Sequence, residues 1–243
     1  MILGAWRSAR RLLAFTLLTA WYAARSAFAP RRRPEIMTLW ARALARAFGV
    51  RLTVTGTPPS APCLLVANHL GYVDILLLSA SVPCTFVAKA EIASWPVLGT
   101  VCRLGDTVFL DRETRRDIGR VIATLERHLE AGRIVAFFPE GTTSDGSGVR
   151  PFGPSLLEVA ARNGTPVCGA AIACRTPDGS PPASRAVSWV GDDTFLPHLA
   201  RFLTLPRVEA RVSFAPERLT GTDRKDLAAR LHEVVVREHR RIV

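Results

Sequence analysis

The chain has no acidic residue before Glu35, no apolar run that reaches the roughly 20 residues needed to cross a hydrocarbon core, and no C-x-x-C pair. The first absence leaves Arg7, Arg10, Arg11, Arg25, Arg31, Arg32 and Arg33 uncompensated, so the amino-terminal end is a cationic segment. The second argues against a spanning helix there, because Leu12 to Ala24 is apolar but short, and leaves open whether the segment spans or only dips into the membrane. The third argues against a dithiol redox centre or a zinc knuckle. The five cysteines, Cys63, Cys84, Cys102, Cys168 and Cys174, lie mostly in apolar runs and read as small core residues of a reducing compartment. A G-x-S-x-G elbow is missing too, as is G-x-x-x-x-G-K-[ST], since Gly146 is followed by Ser147 and not by lysine. An enzyme-borne serine nucleophile and a nucleotide phosphate loop are therefore disfavoured, and long internal repeats are absent.

What remains is a chain of 243 residues, 48% hydrophobic, long enough to bury one full core, with a formal net charge of +11. Such a charge favours an anionic partner, either nucleic acid or an acidic lipid surface. Trp6, Trp21 and Tyr22 edge the short apolar segment, with arginines on both flanks. That pattern suits a helix dipped into one leaflet, with its rings at headgroup depth. From Pro34 to Gly49 a second helical pattern follows, with Ile36, Leu39, Trp40, Leu44 and Phe48 as its apolar stripe, and the two helices could form a hairpin. The rival for the first segment is a secretory signal cleaved near Ala27-Phe28-Ala29, against which Arg25 interrupts the polar region. The rival for the second is ordinary core packing. The expected division is a membrane-associated hairpin over 1–49 and a catalytic domain over 50–243.

Beyond Val50 short apolar runs alternate with longer helical periods. Strands are expected at Arg51 to Thr55, Cys63 to Ala67, Thr85 to Ala88, Thr107 to Leu110, Ile134 to Phe138, Pro166 to Ala173, Ala186 to Val190 and Val208 to Phe214. Helices are expected at Asp74 to Ser81, Thr114 to Ala131, Ser155 to Asn163 and Asp223 to Arg241. The alternation predicts an α/β fold, with a sheet covered on both faces and polar loops gathered at strand ends. Thr176 to Ser184 reads as an exposed excursion without chemistry.

Two strand ends carry candidate chemistry. Asn68-His69-Leu70-Gly71-Tyr72-Val73-Asp74 follows the run Leu64 to Ala67, which puts a histidine and a carboxylate five residues apart at a loop. Asp74 could accept the imidazole Nδ1–H and leave Nε2 free as a base. The alternative is a structural histidine capping the loop. Phe138-Pro139-Glu140-Gly141-Thr142-Thr143-Ser144 supplies an acid and backbone or hydroxyl donors for an oxyanion or headgroup, although such a run also makes an ordinary turn. Gly105 to Arg112 and Val87 to Glu91 end further strands. Arg112 could fork onto a phosphate or carboxylate and Lys89 could act as a point charge, while each could equally be a surface ion-pair partner. His128, His198, His232 and His239 read as solvated or packing residues.

In their order these pieces resemble the glycerolipid acyltransferase family typified by bacterial 1-acylglycerol-3-phosphate acyltransferase. The family pattern N-H-x4-D, G-x-x-x-F-[IL]-D-R, F-P-E-G-T and a late V-P-V-like block is matched at Asn68 to Asp74, Gly105 to Arg112, Phe138 to Ser144, and Thr165 to Ala170. The resemblance implies a mixed sheet flanked by helices, and a fatty acyl group moved from acyl carrier protein or coenzyme A to the free hydroxyl of a lysolipid. It implies no cofactor beyond that acyl donor, and a site at the cytoplasmic face of the inner membrane. His69 would be the general base with Asp74 its partner, while Lys89, Arg112, Glu140, Gly141 and Thr142 would hold the acceptor. The acceptor first expected is 1-acyl-sn-glycerol-3-phosphate. Thr143 stands where many phosphatidate-forming members carry arginine, and the run F-P-E-G-T-T-S-D-G is similar to a branch that includes lyso-ornithine lipid O-acyltransferases. The contrasting readings are a basic nucleic-acid-binding module, for which the sequence offers no motif, and a non-catalytic lipid-binding protein that keeps the fold.

Overall fold

The computed structural model describes residues 2–111 and 114–243. In chain order the elements are helices α1 (Ile2–Phe28) and α2 (Arg33–Ala47), strands β1 (Val50–Thr55) and β2 (Cys63–Ala67), helix α3 (Tyr72–Ser81) and strand β3 (Thr85–Lys89). There follow α4 (Leu98–Leu104), β4 (Val108–Leu110), α5 (Arg115–Glu130), β5 (Ile134–Phe137) and α6 (Glu158–Asn163). The chain closes with β6 (Val167–Arg175), α7 (Ala183–Ala186), α8 (Phe195–Thr204), β7 (Val208–Leu219) and α9 (Arg224–Ile242).

The strands form one mixed sheet in the order β1-β7-β6-β2-β5-β3-β4. From β6 to β4 every pairing is parallel, whereas β7 runs antiparallel to β6 and carries β1 with it. Strand β2 is buried along its whole length because it faces helices on both sides. Its Cys63, Leu65 and Ala67 join the layer containing α1, α2, α3 and α8, and its Leu64 and Val66 join the layer built on α5, α6 and α9. This is the two-residue period of a strand read directly as two cores. Helix α5 turns Val121, Leu125 and Leu129 inward at four-residue spacing and leaves Arg120 and Arg127 outside.

Because β5 is inserted between β2 and β3, the carboxyl ends of β2, β5, β3 and β4 stand side by side. Ligand sites of open α/β sheets form along such an edge, next to a topological switch. The α/β reading and the sheet flanked by helices are as expected.

Three elements differ from the sequence reading. Ala186 to Val190 is not a strand: it is the end of α7 and a loop, with Ser188 N bonded to Ala183 O and Trp189 N to Leu70 O, so its backbone partners lie in α7 and in the loop after β2 and not in a strand. Its apolar residues fill the space beneath the loop, and Ala186 and Val187 are fully buried. Helices α4 and α8 fall in stretches that were not read as helical. Within α2, Ile36, Met37, Trp40, Ala41 and Leu44 pack into the core, which bears out the core-packing reading for that face, while Leu39, placed in the same stripe, is exposed.

Helix α1 is a single piece. One face sets Arg11, Phe15, Leu18, Tyr22 and Ser26 toward the protein, and the Tyr22 ring lies 5.5 Å from that of Trp40. The opposite face leaves Trp6, Leu13, Leu17, Trp21 and Phe28 exposed. Among the described residues no helix is long and apolar enough to cross a membrane.

Candidate active site

Strand β2 ends at Ala67, and the next side chain extends its ladder: Asn68 Nδ2 donates to Ile172 O at 2.9 Å, and Ile172 N donates to Asn68 Oδ1 at 2.7 Å. A fully buried amide is thereby satisfied by a neighbouring strand, and the residue after it is aimed off the sheet edge. That residue is His69.

Asp74 holds the imidazole. Its Oδ2 accepts His69 Nδ1 at 2.7 Å, Leu70 N at 2.6 Å and Gly71 N at 2.9 Å, and the carboxylate is fully buried. Asp74 lies in the first turn of α3, so one carboxylate both satisfies amide donors at the helix start and fixes the ring's tautomer. With Nδ1 protonated toward Asp74, the Nε2 lone pair of the neutral ring is left for another partner. The ring stacks on Phe138 at 4.0 Å between centroids with planes 7° apart, so its orientation is fixed by packing as well as by the hydrogen bond. Gly71 allows the close approach of the next wall, because a Cβ there would stand 3.1 Å from Trp189 Cβ.

The second block folds back on the first. Glu140 Oε1 accepts His69 N at 3.3 Å, and Ser144 N and Oγ donate to His69 O at 2.7 and 3.2 Å. Glu140 Oε2 is buried without a hydrogen-bond partner among the described residues. Burial pushes the Glu140 carboxyl up to about 7, and the His69 N–H offsets that only in part. The hydroxyl of Thr143, read above as free to meet an oxyanion or headgroup, is instead spent on Trp189 O. Gly141 N likewise donates to Phe138 O at 3.2 Å.

These loops border a cleft of about 610 Å³ lined by His69, Lys89, Phe138, Gly141, Thr142 and Trp189, among others. Its floor is apolar, with Leu110, Ile118 and Leu156. Lys89, at the end of β3, is half-exposed, and its Nζ lies 3.8 Å from Glu91 Oε1. The structure thus brings His69, Asp74, Lys89, Glu140, Gly141 and Thr142 to one sheet edge. Arg112 lies outside the described residues.

The sequence reading passed over the aromatic wall. Tyr72, Trp95 and Trp189 line the cleft, and Phe195 packs 5.3 Å from Tyr72 and 4.9 Å from Trp95. Tyr72 is held from behind: its hydroxyl meets His198 Nδ1 at 2.9 Å, and His198 Nε2 meets Ser188 O at 3.0 Å. The carbonyl can only accept, so Nε2 carries the proton and Tyr72 donates to Nδ1. Burial lowers the pKa of His198, which keeps the ring neutral in that role. Only the position of Tyr72 between His69 and Asp74 could have signalled this wall, since Trp95, Trp189 and His198 stand in no motif.

Residues 51–173 match a protein-family model described as Acyltransferase. The lyso-ornithine lipid O-acyltransferase of Pseudomonas aeruginosa is 35% identical over 204 residues, covering 84% of this chain and 78% of that one. The 1-acyl-sn-glycerol-3-phosphate acyltransferase of Neisseria meningitidis serogroup B is 34% identical over 187 residues, covering 76% and 72%. The crystal structure of the 1-acyl-sn-glycerophosphate acyltransferase PlsC from Thermotoga maritima superposes with a TM-score of 0.75 over 99% of this chain and 96% of that one, at 20% identity, a likeness of fold. A family match that takes in both loops around His69, joined to this identity across most of two O-acyltransferases, establishes that the chain belongs to the Acyltransferase family.

Proposed function

We propose that the protein transfers a fatty acyl group from acyl carrier protein or coenzyme A to the free hydroxyl of a lysolipid, with His69 as general base. The observation that carries this reading is the 2.7 Å contact from His69 Nδ1 to buried Asp74, on a ring that faces the cleft. Nε2 takes the proton of the lipid hydroxyl while that oxygen attacks the thioester carbonyl. The tetrahedral intermediate collapses with cleavage of the C–S bond, and the imidazolium returns its proton to the departing thiolate. The nucleophile arrives with the substrate, in keeping with the missing serine elbow. Lys89, Glu140, Gly141, Thr142 and Arg112 would hold the acceptor.

The first acceptor proposed is 1-acyl-sn-glycerol-3-phosphate, the substrate in the name of the Neisseria relative. A second reading, lyso-ornithine lipid, is favoured by one observation: Thr143 spends its hydroxyl on Trp189 O and brings no cation to the cleft. The outer stripe of α1, from Trp6 to Phe28, with arginines on both flanks, would seat the site on the cytoplasmic leaflet of the inner membrane. The test offers purified protein both lysolipids in parallel, with acyl carrier protein and coenzyme A thioesters as donors. Esterification of at least one acceptor is expected, and transfer to neither contradicts the proposal.

A further inference from the structure

Most of the large apolar side chains left exposed among the described residues belong to α1 and α2; of the four that do not, Val54, Val97, Leu196 and Val243, two share one place. Val97 is 52% exposed and Leu196 is 72% exposed. They are far apart in the chain, yet each lies within two residues of a ring in the aromatic cluster at the cleft, and those rings, Trp95 and Phe195, are 4.9 Å apart. The two residues therefore crown the rim of the cleft that opens on His69.

The Val97 side is a built feature. Val97 has φ 64° and ψ −56°, and Leu98 N donates to Pro96 O at 2.7 Å, which makes a γ-turn with a β-branched residue at its positive-φ tip. Such a turn is strained, and a β-branched side chain is a poor choice for it. The surroundings hold it in place. Arg103 Nη1 donates to Ala93 O at 2.6 Å, Ser94 Oγ to Glu91 O at 2.7 Å, and Gly99 lets α4 approach so closely that a Cβ there would stand 2.4 Å from Ala93 O. An aliphatic side chain held exposed at a strained turn beside the cleft is the kind of outlier from which a functional role is inferred.

The same two helices reach α1. At the carboxyl end of α8, Arg7 donates to Thr204 O, and Arg11 donates to Leu203 O and Leu205 O at 2.9 and 2.8 Å. At the carboxyl end of α4, a side chain at Gly105 would meet Tyr22 and Met37. Thus α4 and α8 begin at the cleft rim and end on α1. We infer that the Trp95–Val97 turn and the Phe195–Leu196 step form a second membrane-contacting surface, which dips into the same leaflet as the outer face of α1 and lets the lysolipid pass into the cleft without crossing water. This rests on the proposed membrane seating of α1. The occupant is the boundary of headgroups and acyl chains. Beside the rim Glu91 pairs with Lys89 and Asp193 with Arg201, while Asp192 is exposed. The contribution proposed for Val97 and Leu196 is apolar.

The test compares the Val97→Asp/Leu196→Asp variant with Leu13→Asp/Leu17→Asp. Neither pair lines the cleft. Three readings are taken: co-sedimentation with phosphatidylglycerol–phosphatidylethanolamine vesicles, acyl transfer to a long-chain lysolipid embedded in those vesicles, and transfer to a short-chain lysolipid dissolved as monomer. The rim variant is expected to keep most of its co-sedimentation and to stay within about twofold of wild type on the monomeric acceptor, while its apparent KM for the embedded acceptor rises at least about tenfold, the order set by withdrawing two aliphatic side chains from lipid. The α1 variant is expected to lose co-sedimentation. An unchanged KM for the embedded acceptor in the rim variant overturns the inference, and so does an equal loss on both acceptors. Failure of wild-type protein to co-sediment overturns the α1 seating instead and removes this inference with it. Should the aspartate pair fail to fold, Val97→Gly/Leu196→Ser, which relaxes the turn, carries the same expectation and the same two overturning results.

Discussion

At the scale of single residues, the site depends on where a few polar atoms find partners. Asp74 spends one oxygen on the imidazole and two amides, and Glu140 reaches the same histidine from its backbone side. The Glu140 carboxyl is raised by burial from its ordinary 4.5 to about 7, so the folded protein favours its protonated form. The corresponding stability is complete below about pH 4.5 and is lost as pH rises through about 7. Glu140→Gln keeps an oxygen for the His69 N–H and removes the titration. Urea denaturation across that window is expected to show wild-type stability falling relative to Glu140→Gln, and parallel profiles would remove the role of burial. The pair His69 and Asp74 was legible in the sequence because both chemistry and spacing stand in one loop. The roles of Tyr72 and His198 were not, since their hydrogen bond joins residues 126 positions apart.

At the scale of elements, the sheet was legible where strands are buried on both faces and their apolar runs are continuous, as in Cys63 to Ala67. The misread strand, Ala186 to Val190, shows the limit of that signal: an apolar run records burial, and a loop packed over a core is buried too. Helix α8 was missed because its C-terminal carbonyls are satisfied from a distant helix, by Arg11, whose guanidinium is 1% exposed and has its pKa lowered to about 10 by burial and by Arg7 and Arg10. Arg11→Met keeps an unbranched stem and strips donors from the carbonyls of Leu203 and Leu205. A loss of roughly 2–3 kcal/mol in chemical denaturation is expected, the range for hydrogen bonds to a charged group. A change under about 0.5 kcal/mol would mean that water replaces the guanidinium at no cost.

At the scale of the whole molecule, the proposed membrane seating joins the net charge of +11 to the apolar outer face of α1. Exposed arginines near an anionic leaflet are worth about 1 kcal/mol each at modest ionic strength and are screened within a Debye length. Binding to phosphatidylglycerol vesicles is therefore expected to weaken on going from about 0.05 to 0.5 M salt without vanishing, because the apolar face of α1 is not screened. Complete loss at high salt would leave that face without a role. The proposed function turns on one proton transfer, from the lysolipid hydroxyl to His69. It is tested most directly by the rate of acyl transfer to lysolipid in His69→Ala against wild type, with an unchanged circular dichroism spectrum as the check on folding. A properly placed general base contributes about 10² to 10⁴ in rate, and a loss of at least that order is predicted. A folded His69→Ala protein that turns over within a few-fold of wild type would contradict the account.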